Sequence, residues 1–120
     1  MGMRKSSILE YLINEQLSAV TFVQTYVQFH FDGPCLSAYV WPTVRNKENT
    51  FSKQTPGYRD ALCSLIGKLV TDVSDNTNEI LLFKFADGAT LEVSLRETDQ
   101  VGPEAAMFTD DLRHIYVVFQ

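Results

Sequence analysis

The chain is short of basic charge and of the side-chain groups that carry covalent or metal chemistry. Ten Lys and Arg stand against fifteen Asp and Glu in 120 residues, a net charge of −5. A nucleic-acid binder needs a basic footprint, so no nucleic-acid partner is expected. No stretch approaches the roughly 20 apolar residues of a membrane span. Glu10, Asn14 and Glu15 interrupt the apolar residues that follow Arg4 and Lys5, so neither an export signal nor a membrane partner is expected. Two cysteines, Cys35 and Cys63, are too few for a disulfide framework, and a reducing cytoplasm is the expected location. There is no phosphate-binding glycine loop, no G-x-S-x-G, no H-E-x-x-H and no paired C-x-x-C. The expectation is therefore no cofactor, no metal site and no assigned catalytic residue.

What the chain does have is enough apolar material for one core. Apolar residues make up 45%, with eight Phe, five Tyr and one Trp, and the length suits a single domain over residues 1–120. Charge is spread unevenly. Residues 1–60 carry six basic and five acidic side chains, whereas residues 61–120 carry four basic and ten acidic. An acidic half serves solubility in the simplest case and a basic partner in the functional one.

The chain also matches itself. Residues 9–40 align with 62–95: Leu12-Ile13 over Leu65-Ile66, Phe29-His30-Phe31 over Phe83-Lys84-Phe85, and Asp32-Gly33 over Asp87-Gly88. Ser7-x-x-Glu10 reads as a capping box before one helix, and Thr55-Pro56 as the start of another that Gly67 ends. Gln24-Thr25 and Asp75-Asn78 read as turns. Asp32-Gly33 suits a two-residue hairpin that sets Phe29 opposite Leu36 and Val27 opposite Ala38. Ala86-Asp87-Gly88 suits a three-residue loop that sets Phe83 opposite Leu91 and Leu81 opposite Val93. The Gly102–Ala106 stretch reads as a short helical turn, and Ile115–Phe119 as a last strand. The expected fold is therefore α+β: two pseudo-repeats of a helix followed by three antiparallel strands, plus a C-terminal strand. The repeats run over about 6–41 and 56–96, a polar linker over 42–55, and the C-terminal turn and strand over 97–120.

The two hairpins differ on their outward faces. The second presents Ile80, Leu82, Lys84, Thr90, Glu92, Ser94 and Arg96. The first presents Tyr26, Gln28, His30, Cys35, Ser37, Tyr39 and Trp41. Tyr and Trp offer a large contact area at low entropic cost, so Tyr26, Gln28, His30, Ser37, Tyr39 and Trp41 form the candidate binding surface. The bland alternative is that the 42–55 linker or the other repeat covers this face as core. The register also makes His30 and Cys35 cross-strand neighbours, a pairing that could act as a thiolate nucleophile or as half a metal site, although no third orienting or ligating group is evident.

Four segments read together resemble a group of small bacterial proteins with no assigned activity: FDG…WP in 31–42, PGYRDALCSLIGK in 56–68, FADG…SLR in 85–96 and GPEAA in 102–106. The resemblance implies a bacterial cytosolic protein and transfers no site. Small acidic proteins of this type include immunity proteins of toxin systems and products of mobile cassettes. The expected function is a non-enzymatic binding module whose partner is a protein or a small-molecule ligand. The alternatives are a cysteine-dependent enzyme using Cys35 with His30, and a self-associating homodimer.

Overall fold

The computed structural model describes residues 8–76 and 79–120. Ten strands form two antiparallel sheets of five strands each. The first sheet holds β1 (Ala19–Val23), β2 (Tyr26–His30), β3 (Cys35–Ala38), β9 (Ala106–Asp110) and β10 (Ile115–Phe119), in that order. The second holds β5 (Asn49–Phe51), β4 (Thr43–Asn46), β8 (Thr90–Ser94), β7 (Ile80–Phe85) and β6 (Val70–Asn76). Each sheet is a three-strand meander extended by a hairpin from the other half of the chain. The β4–β5 hairpin follows the first meander but pairs with β8, and the β9–β10 hairpin follows the second but pairs with β3.

The expected α+β plan of helix-and-three-strand repeats is thus overturned. The fold is mostly β, with one helix, α1 (Tyr58–Cys63), and two 3-10 turns among the described residues. The first predicted helix is a single 3-10 turn over Leu9–Leu12, and Ser7 of its predicted capping box lies outside the described residues. Burying Leu9 and Leu12 takes only that turn, because Asn14 then bonds to Val70 and joins the sheet edge. In the second, Thr55 turns its hydroxyl back to accept from the Ser52 amide, and the helix starts after Gly57 at φ 84°. The 42–55 linker is not a loose polar connection. It contains β4 and β5, and Val44 is fully buried opposite Leu91. The predicted helical turn at 102–106 is loop and strand, since Ala106 opens β9 against Ala38. β6 continues through Asp75 and Asn76, where a turn was expected, and Thr77 and Asn78 lie outside the described residues.

The hairpin registers are as predicted: Phe29 faces Leu36, Val27 faces Ala38, Phe83 faces Leu91 and Leu81 faces Val93. Asp32 and Gly33 take positive φ, and Phe31 N–H donates to the Pro34 carbonyl at 2.8 Å, so the turn closes without a donor on Pro34. Gly88 is left-handed at φ 93°, as its loop requires.

Alternation then sorts the side chains. Phe29, Leu36 and Phe108 form one cross-strand row on the inner face of the first sheet, and Val44, Leu91 and Phe83 one on the second. All six are buried in one core shared by both sheets. Backbone bonds Leu17 to Lys68 and Gly67 to Leu17 tie together the segments that lead into β1 and β6. Among the described residues, no helix is long and apolar enough to cross a membrane.

Candidate functional site

The outer faces of the two sheets differ in charge. On the second sheet, Asp72, Lys84, Thr90 and Arg45 lie in one row, and Arg45 meets Glu92 at 3.5 Å. On the first, the rows are Ala19, His30, Cys35, Thr109 and Tyr116, then Thr21, Gln28, Ser37, Met107 and Val118. Val23 and Tyr26 begin a third row. No Asp, Glu, Lys or Arg stands on these rows, and Tyr116 is 70% exposed. The uncharged surface is therefore larger than the two strands read from sequence, because β9 and β10 extend it.

Polar groups on this face are bonded to one another. Gln28 donates to the Ser37 hydroxyl at 3.2 Å, and His30 Nε2 lies 3.0 Å from the Thr21 hydroxyl. Tyr26 and Tyr39 pack with ring centroids 5.3 Å apart and planes tilted by 53°. That geometry lets the edge of one ring meet the face of the other. Tyr39 N–H continues the ladder past β3 by donating to the Ala105 carbonyl at 2.9 Å. Burial, then the nearby Glu104 carboxylate and Tyr26, push the Tyr39 hydroxyl above its ordinary value.

His30 and Cys35 are cross-strand partners, as predicted. Burial pushes the Cys35 thiol up, with a hydrogen bond to Ser37 opposing it, and the His30 imidazole is turned to Thr21. A nucleophilic cysteine needs the opposite shift, toward the thiolate. In native protein near neutral pH, Cys35 is expected to alkylate well after the exposed Cys63. Peptide mapping of an iodoacetamide time course measures the order, and Cys35 labelling first would restore the nucleophile reading. Among the described residues, no three His, Cys, Asp or Glu side chains converge in a manner that could hold a metal.

Trp41 lies beyond the strands, in the link from β3 to β4, where the chain passes between sheets. It is partly buried against the core. Its position is held by α1: the buried Tyr58 hydroxyl donates to the Pro42 carbonyl at 2.5 Å. Beside Trp41 opens a cleft of about 540 Å³, lined by Gln24, Thr25, Tyr39, Trp41, Lys53 and the Val101–Glu104 loop. A second hollow of about 350 Å³ also borders Trp41 and Lys53 and is lined further by Tyr58, Arg59 and Asp60. The Lys53 ammonium stands 4.5 Å from the centroid of the Trp41 ring.

The six residues predicted from sequence therefore divide. Tyr39 and Trp41 line the cleft, and Tyr26 adjoins it through its ring contact with Tyr39. Gln28 lies one row away, half-buried on the outer face, and Ser37 beside it is buried at 2% exposure, so its side chain is not presented to a partner. His30 lies four residues along β2 from Tyr26, about 13 Å at the usual strand rise, and takes no part in the cleft. Lys53, Val101, Pro103 and Glu104 were missed. The Gly102–Ala106 stretch was expected as a helical turn, and nothing local placed it beside Trp41.

Fold and site together describe a small two-sheet antiparallel β protein with an uncharged sheet face and an aromatic cleft at one end of it. No family model, curated protein or solved structure matches the chain.

Proposed function

We propose that this protein is a non-enzymatic binding module that engages a partner through the Tyr39 and Trp41 cleft and the adjoining sheet face. The observation that carries this reading is the uncharged outer face of the first sheet, which continues past Tyr26 and Tyr39 toward a concave end at Trp41. Partly exposed Tyr and Trp beside a cavity are the composition from which interface anchors are made. A cytoplasmic location is consistent with two unpaired cysteines. The acidic second half of the chain supports a basic protein partner, as an immunity-type or accessory protein would have.

Immobilised wild-type protein is expected to capture a partner from bacterial lysate. The purified partner should then bind wild type and lose roughly 30-fold or more in affinity with Trp41→Ala, the loss of a hot-spot residue. Circular dichroism and thermal melts establish that Trp41→Ala and Tyr39→Ala remain folded. Unchanged affinity in both folded variants would remove this surface from consideration.

A further inference from the structure

We propose that the cleft beside Trp41 takes the guanidinium of an arginine side chain presented by a protein partner. This inference rests on the binding-module reading and names its chemistry. Aromatic rings carry negative charge on their faces and attract cations placed over them. Tyr39 and Trp41 supply two such rings to the cleft, and Tyr26 backs Tyr39. The structure shows that the Trp41 face accepts a cation, because the ammonium of Lys53 already sits there, 4.5 Å from the ring centroid. Lys53 is exposed and carried on a flexible four-carbon stem in the loop between β5 and α1, so it can leave.

Glu104 supplies the matching anion. Its carboxylate lines the same cleft and forms no ion pair among the described residues, not even with Lys53. Its charge is felt at the Tyr39 hydroxyl. An unpaired carboxylate in a cleft lined by Tyr39 and the cation-accepting Trp41 ring fits a planar guanidinium, which stacks and donates hydrogen bonds at once. The net charge of −5 favours the approach of a basic partner. A partner's side chain, rather than a free amine, is indicated by the surroundings. The uncharged sheet face adjoins the cleft and would stay uncovered by a small molecule.

Trp41 is the only tryptophan, so its fluorescence reports the cleft directly. Acetyl-Gly-Arg-Gly-amide is expected to change that fluorescence saturably, and the same peptide with citrulline, equal in shape but uncharged, is not. Lys53→Ala vacates the ring and should tighten the arginine peptide about two- to fivefold. Glu104→Gln should weaken it about two- to fivefold. Equal binding of the citrulline peptide, or weaker binding by Lys53→Ala, would overturn the proposal. Butyltrimethylammonium binding more tightly than the arginine peptide would overturn the assignment to a partner's side chain. If the captured partner depends on Trp41 but is indifferent to Glu104→Gln, the arginine inference fails and the binding module stands. If the partner ignores Trp41→Ala, the arginine inference fails, and if it ignores Tyr39→Ala as well, both fail.

Discussion

Phe108→Ala is expected to destabilise the protein by about 3–5 kcal/mol, a large share of the roughly 5–15 kcal/mol available to a domain. Phe108 is fully buried, and it lies between Leu36 on β3 and Val117 on β10. Of the side chains the β9–β10 hairpin gives to the shared core, it is the one among the largest fully buried. Truncation there removes apolar burial and leaves a cavity whose lining cannot close, since the neighbours belong to strands fixed by their own ladders. The melting temperature should fall by roughly 10–20 °C. Val101→Ala, at a side chain 95% exposed, should change stability by less than about 0.5 kcal/mol. Equal melting of the two variants would mean that β9 does not pack as described.

Tyr58→Phe is expected to cost about 1–3 kcal/mol, although it removes a single oxygen. That hydroxyl is the donor to the Pro42 carbonyl, and the phenylalanine variant leaves a buried acceptor without a partner. Pro42 follows Trp41, so the emission of Trp41 should shift in the folded variant, and partner affinity should fall with it. The effect depends on pH. Burial holds the Tyr58 hydroxyl far above its ordinary value, whereas in the unfolded chain it ionises near pH ~10. The folded state therefore favours the neutral form. That contribution is complete below about pH 10 and is lost as pH rises from there through the folded value. Tyr58→Phe has no such loss, so the stability gap between variant and wild type should narrow above about pH 10. Urea unfolding midpoints of both proteins between about pH 8 and about pH 11 measure it, and a constant gap would contradict the burial of this hydroxyl.

Particular elements show where sequence reading succeeded and where it failed. Asp32-Gly33 and Ala86-Asp87-Gly88 were legible as turns because positive φ is tolerated by few residue types. Given those turns, alternation of Val27 and Phe29 against Leu36 and Ala38 left one register that buries every apolar residue. The β4–β5 hairpin was not legible. Thr43-Val44-Arg45-Asn46 buries only Val44, and three polar neighbours in four residues look like a linker. Ala105-Ala106 after Gly102-Pro103 carries helical signals, yet β3 offered an open edge, and ladder bonds outweighed a weak local preference. The apolar stripes at Leu9 and Leu62 were real, since both residues are buried, but each core position needed at most a turn or two of helix.

The candidate site divides along the same line. Tyr26, Gln28, Ser37 and Tyr39 share a face because of strand periodicity, which depends on neighbours one and two residues away. That much the amino-acid order determined alone, together with the Asp32-Gly33 and Ala86-Asp87-Gly88 turns, their hairpin registers and the acidic charge. Which sheet each hairpin joins was decided only in three dimensions. A sheet edge offers the same backbone donors and acceptors to any strand, so local chemistry cannot choose between edges; packing of Val44 and Phe108 into the common core does. The meeting of Trp41, Lys53 and Glu104, more than sixty residues apart from first to last, follows from that choice.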